Sequence, residues 1–193
     1  MPGGSTTAAA AARPGAIPAV DSMMRLHIGG EEAKAGWKVL NVQQGPTVDY
    51  VGDCTDLSRF EDGSVDEIYI SHVLEHLGYI DRLPQALSEM LRVLKSGGRA
   101  MISVPDFEVA CRLFVDPRYG AEDRLHIMRM VFGGQMDPHD FHYVGLTFEI
   151  LGEFLLNVGF SKIDRVKEFG LFDDTSVQRF DETLISLNII AWK

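Results

Sequence analysis

Cysteine is scarce in this sequence, with Cys54 and Cys111 the only two. Two thiols cannot build a disulfide framework, so a hydrophobic core must hold the chain together, and a reducing, cytoplasmic setting fits best. Basic residues are also few, with 18 Lys and Arg against 28 Asp and Glu, a formal charge of −10. An acidic surface repels phosphate backbones and no basic cluster interrupts it, which argues against a nucleic-acid partner. Long apolar runs are missing: none approaches the roughly 18 residues of a membrane span, so no membrane partner is expected either. What is present is 193 residues, 46% of them hydrophobic, the size and balance of one globular domain.

Residues 1–22 differ from the rest. Met1 to Val20 is mostly Ala, Gly, Pro, Ser and Thr, with Arg13 its only charge. So little to bury predicts a disordered tail, and the compact apolar stretch of a secretory signal is lacking. One arginine is too few for an organelle-targeting peptide. Residues 23–193 are expected to form a single domain.

From Met24 onward short apolar runs alternate with helical patterns, the sign of a parallel sheet wrapped by helices. Strands are predicted at Met24–Ile28, Lys38–Val42, Val48–Val51, Asp66–Ser71, Arg99–Val104, Lys162–Phe169 and Leu184–Trp192. The last is nearly continuous in apolar residues and should lie in the sheet's centre. Leu83, Leu87, Met90, Leu91 and Leu94 recur at helical spacing, with Pro84 in the first turn and Lys95-Ser-Gly-Gly98 as a cationic, glycine-terminated end. Further helical patterns cover 107–114, 122–132 and 147–158, within an insert of about 107–160 that would cover a substrate.

Ligands of open α/β sheets bind beyond the carboxyl ends of the strands. The residues just past those ends are Gly29 and Gly30, which let backbone N–H groups approach a ligand, then Asn41, Asp53, Ser71 and His72. Asn41 suits a ribose hydroxyl and Asp53 an exocyclic amine. Each also has a plain structural reading as a turn or cap.

The stretch Val48-Asp-Tyr-Val-Gly-Asp-Cys-Thr-Asp-Leu57 precedes Phe60-Glu-Asp-Gly-Ser-Val-Asp-Glu-Ile-Tyr-Ile-Ser-His-Val-Leu-Glu-His-Leu77, and Leu91-Arg-Val-Leu-Lys-Ser-Gly-Gly-Arg-Ala-Met-Ile-Ser-Val-Pro-Asp106 follows. From about Arg25 to Lys193 the chain resembles class I S-adenosylmethionine-dependent methyltransferases, most closely a compact bacterial subgroup with a shortened glycine loop. The resemblance implies a three-layer Rossmann-like α/β fold with a reduced first helix and a seven-stranded sheet, parallel except for its last strand. It implies S-adenosylmethionine as cofactor and a small-molecule or glycan oxygen or nitrogen as methyl acceptor. Gly29, Gly30 and Ser71 would then line the methionine end, Asn41 the ribose, and Asp53 and Cys54 the adenine. Two departures stand out: the glycine loop shrinks to Gly29-Gly-Glu-Glu32, and the usual ribose carboxylate is the neutral Asn41. Fewer charge-assisted bonds imply affinity lower by about 1–2 kcal/mol.

His72-Val-Leu-Glu-His76 matches the H-x-x-E-H pattern of one zinc protease class. No third ligand suggests itself, so no metal is expected; the segment reads as a helix start with His72 near the cleft and Glu75 solvated. A second cluster, Gly133-Gly-Gln-Met-Asp-Pro-His-Asp-Phe-His-Tyr143, falls within the insert. Methyl transfer needs alignment and a base for the acceptor's proton. His142, supported by Asp140, is the candidate base and His72 its rival; the other reading is a polar loop whose groups satisfy one another. His126 and His139 read as surface residues, and Asp173–Ser176 as a turn.

Two other functions are weighed. A degenerate domain that binds cofactor or partner without turnover is compatible with the short loop and Asn41. A nicotinamide oxidoreductase would need G-x-G-x-x-G after the first strand, which Gly29-Gly30-Glu31 does not supply.

Overall fold

A computed structural model describes residues 23–193; the predicted tail lies outside the described residues. The chain runs β1 (Arg25–Ile28), β2 (Trp37–Asn41), β3 (Tyr50–Val51), β4 (Val65–Ser71), α1 (Arg82–Val93), β5 (Leu94–Pro105), α2 (Phe107–Val115), α3 (Ala121–Phe132), α4 (Phe148–Val158), β6 (Lys162–Val166), a small hairpin of β7 (Arg179–Phe180) and β8 (Thr183–Leu184), and β9 (Ser186–Trp192). The main sheet has seven strands in the order β3-β2-β1-β4-β5-β9-β6. β9 runs antiparallel to both its neighbours, and the other pairings are parallel. This is the predicted sheet, and a turn replaces the helix usually found between β1 and β2.

The apolar character of β9 has the expected cause. It sits between β5 and β6, and Leu187, Ile189 and Ala191 are fully buried. α1 buries Leu83, Ala86, Leu87, Met90 and Val93 along one stripe. Its large apolar side chains each contribute about 1.5–3 kcal/mol by leaving water.

The end of α1 differs from the prediction. The helix stops at Val93, because Leu94 turns extended and pairs with Val65 in the sheet. Lys95 reaches Asp66 instead of the helix end. The helix terminus takes its cation from the far end of the chain: Lys193 Nζ donates to the carbonyls of Arg92 (3.2 Å) and Leu94 (2.8 Å).

Between β5 and β6 come α2, α3 and α4, of which α4 buries Leu151 and Leu155 in the main core. Asp106 caps α2 by accepting from the amides of Glu108 and Val109, and also binds Arg165 at 2.6 Å. α2 and α3 share a separate small core around Ala110, Leu113, Ile127 and Ile185. Among the described residues no helix is long and apolar enough to cross a membrane.

Candidate functional site

In the strand order β2-β1-β4 the chain leaves β1 on one side and returns on the other, so the carboxyl ends of β1 and β4 form the switch point of the sheet. A cleft of about 380 Å³ opens there, within the range of small-molecule sites. Ile28, Leu40 and Leu77 give it apolar walls; of the predicted residues Gly29, Asn41, Asp53, Cys54 and His72 line it. Gly30 and Ser71 belong to an adjoining depression of about 460 Å³, which shares Gly29, Glu31 and His72 with the cleft.

The glycine pair serves the fold first. Gly29 has φ +77°, and a Cβ on it would stand 2.3 Å from Val73 Cγ2; one on Gly30 would strike the His27 ring at 2.5 Å. The amide of Gly29 donates to Leu40 O at 2.8 Å. This bond extends the parallel β1–β2 ladder by one rung, so the Gly29 N–H itself is not available to a ligand.

Asn41 is partly engaged. Its Nδ2 donates to Gly30 O (3.1 Å), and its Oδ1 accepts from Gln43 N (2.9 Å), which fixes the amide's orientation. One N–H and one lone pair remain. Asp53 Oδ1 accepts from Thr55 N and Oγ1, each at 2.9 Å, while Oδ2 pairs with Arg82. Burial pushes the Asp53 carboxyl up, but Thr55 and Arg82 outweigh it and hold it below the ordinary carboxylate range. Chiefly through burial, and further through Asp53, the Cys54 thiol is pushed up to about 12, which keeps it inert. The Ser71 hydroxyl is buried without a hydrogen-bond partner among the described residues.

The histidines assemble in a way the sequence did not suggest. The segment Leu74–His76 is one 3-10 turn rather than a helix start, entered through His72 in a left-handed conformation (φ +53°). Glu75, expected to be solvated, is 1% exposed. The correction has a topological cause. Residues of the insert close over the turn, with Tyr143 N donating to Glu75 O at 2.8 Å and His142 N to Phe132 O at 3.2 Å. Glu75 Oε1 lies 3.2 Å from His72 Nδ1, yet neither carboxylate oxygen makes a well-formed hydrogen bond among the described residues. Burial pushes the Glu75 carboxyl up; the facing rings of His72, His76 and His142 more than offset this and hold it below its ordinary value.

His72 is held through Nε2. Ser186 Oγ gives its proton to Thr175 O (2.7 Å), so it accepts from His72 Nε2 at 3.0 Å. His142 Nδ1 meets Met130 O at 3.0 Å, and burial lowers its pKa. Asp140, the expected support of His142, accepts from Gly134 N and Met136 N, both at 3.2 Å, and so closes its own loop. His142 does not line the cleft: it stands edge-on behind His76, their ring centroids 4.7 Å apart. Glu75, His76, Arg82 and Tyr143 are site residues the sequence reading missed. Only His76 and Glu75 carried a sequence signal, the H-x-x-E-H spacing.

A family model described as "Methyltransferase domain" matches residues 3–102, just over half of the chain. No curated protein matches the sequence. Among solved structures, a SAM-dependent methyltransferase from Archaeoglobus fulgidus is 19% identical, with 89% of this chain and 86% of that one covered and a TM-score of 0.56. The 1,6-didemethyltoxoflavin-N1-methyltransferase of Burkholderia thailandensis, solved with its substrate and S-adenosylhomocysteine, is 16% identical, with coverage of 88% and 70% and a TM-score of 0.55. A SAM-dependent methyltransferase from Thermotoga maritima is 14% identical, with coverage of 88% and 82% and a TM-score of 0.54. Two other matched structures are spanned over only 52% and 61% of their lengths. At these identities the likeness is one of fold.

Proposed function

Since the chain belongs to the methyltransferase-domain family and has the class I S-adenosylmethionine-dependent fold, we propose that it moves a methyl group from S-adenosylmethionine to an oxygen or nitrogen of a small molecule or glycan. The observation that carries this reading is the cleft at the switch point, where apolar walls meet polar groups with bonding capacity to spare. Asn41 keeps one donor and one acceptor for a ribose diol. Asp53, held by Thr55 and Arg82, retains acceptor capacity for an adenine amine, and Cys54 offers backbone beside it. The orphaned Ser71 hydroxyl in the adjoining depression suits the methionine end. When bound, the cofactor supplies an electrophilic methyl on a sulfonium. The chain's own task is then to align the acceptor and remove its proton.

Proton removal falls to the histidine corner of the cleft. His76 Nδ1 meets Phe141 O at 3.1 Å, which leaves Nε2 as the nitrogen without a partner among the described residues. His142 packs edge-on against it from behind. The second reading, binding without turnover, draws on the committed amide of Gly29 and the negative charges of Glu31 and Glu32.

Calorimetry with S-adenosylhomocysteine tests the proposal. Micromolar binding is expected, weakened about 10-fold or more in Asp53→Ala, the worth of a charge-assisted bond. No heat at millimolar ligand would remove the cofactor assignment. Binding with no methyl transfer to a panel of hydroxyl and amine acceptors would leave the second reading.

A further inference from the structure

We propose that Glu75, His76 and His142 bind a divalent cation of the zinc class at the edge of the cleft. One ligand atom from each of the three lies within 4.8 Å of those of the others. A tetrahedral zinc site asks for separations of about 3.4 Å, given bonds of about 2.0–2.2 Å, so modest side-chain rotations close the gap.

Three independent observations favour a cation. First, Glu75 is 1% exposed and both its oxygens lack a hydrogen bond among the described residues. A buried carboxylate keeps its charge only where positive charge faces it, and an ion held among these side chains would supply that charge. Second, both ligand histidines are oriented as metal ligands are. His76 Nδ1 donates to Phe141 O and His142 Nδ1 to Met130 O, which fixes the tautomer and leaves each Nε2 lone pair for an ion. Third, the backbone preorganises the set, because the Tyr143 amide ties the His142 segment directly to Glu75.

Two imidazoles and one carboxylate are borderline ligands that suit zinc better than magnesium or calcium. Three protein ligands leave a fourth position open, the arrangement of catalytic rather than structural zinc. His76 belongs to both the cluster and the cleft lining, so the ion adjoins the cleft. There it would occupy His76 Nε2 and acidify an acceptor hydroxyl at the open position, whose proton would pass to water. The site itself stands whether or not the cofactor assignment holds.

The test is direct. The whole protein is incubated with zinc chloride, passed through gel filtration and assayed for metal by mass spectrometry. One zinc per chain is expected, and affinity measured against a chromophoric chelator should fall at least about 100-fold in Glu75→Gln and His142→Ala. His126→Ala, outside the cluster, should keep wild-type affinity. His76→Gln serves if either variant loses its native circular dichroism. X-ray absorption at the zinc edge of the wild-type protein needs no variant, and should show nitrogen and oxygen ligands with imidazole scattering. No retained zinc, unchanged affinity in the folded variants, or a sulfur ligand would overturn the proposal.

Discussion

His27 should make this protein lose stability in mild acid, through a mechanism that one substitution removes. The ring lies under Gly30, edge-on to Tyr69 and tilted against Phe172 at 4.1 Å, and it is 5% exposed. Burial lowers its pKa from 6.5 to about 4, against an opposing pull from Asp174. Below pH 6.5 the unfolded chain takes up a proton at this site that the folded chain refuses, so stability falls with pH until the folded ring also titrates near 4. At about 1.4 kcal/mol per pH unit the loss reaches about 3 kcal/mol by pH 4. That is a large part of the 5–15 kcal/mol typical of a domain. Urea denaturation followed by the fluorescence of Trp37, which packs in the same cluster, provides the assay. In His27→Leu the group is gone, and the midpoint should fall less between pH 7.5 and 4, by on the order of 1 M urea. His142 is also lowered by burial, but it is common to both proteins and cancels in the comparison. Parallel pH curves for the two proteins would refute the reasoning.

Asn41→Asp should weaken binding of S-adenosylhomocysteine rather than strengthen it, because the new oxygen would face Gly30 O, where Nδ2 now donates; calorimetry decides, and tighter binding would show that the turn yields. An aromatic disulfide reagent should modify one thiol per native chain quickly, the exposed Cys111, and a second only on unfolding, since Cys54 is buried with its pKa pushed up to about 12. Two fast thiols would mean that the floor of the cleft opens.

The seven strands of the main sheet were legible because each pairs apolar content with a bounding turn, and β9 shows this best: its nearly continuous apolar run, bounded by turns, fits a central strand. The end of α1 was not, because Lys95 and the glycines after it look like a helix stop in sequence, while the pairing of Leu94 with Val65 and the capping by Lys193 are long-range. The site divides in the same way. Gly29, Asn41, Asp53 and Cys54 follow strand ends, so order along the chain brings them to one cleft. Glu75 looked like a surface residue because its burial depends on His142 and Tyr143 folding back from the insert. Asp140 lay two residues from His142 and suggested a partner by proximity, yet loop closure claimed its carboxylate first. Contacts across the chain, unlike periodicity, leave no local trace.

A crystal structure of the protein soaked in S-adenosylhomocysteine would test the central claim most directly. The nucleoside is expected in the cleft, its ribose on Asn41 and its adenine beside Asp53 and Cys54, with the amino-acid end towards Ser71. A cleft that stays empty at millimolar ligand, or a ligand bound away from the carboxyl ends of β1 and β2, would contradict it.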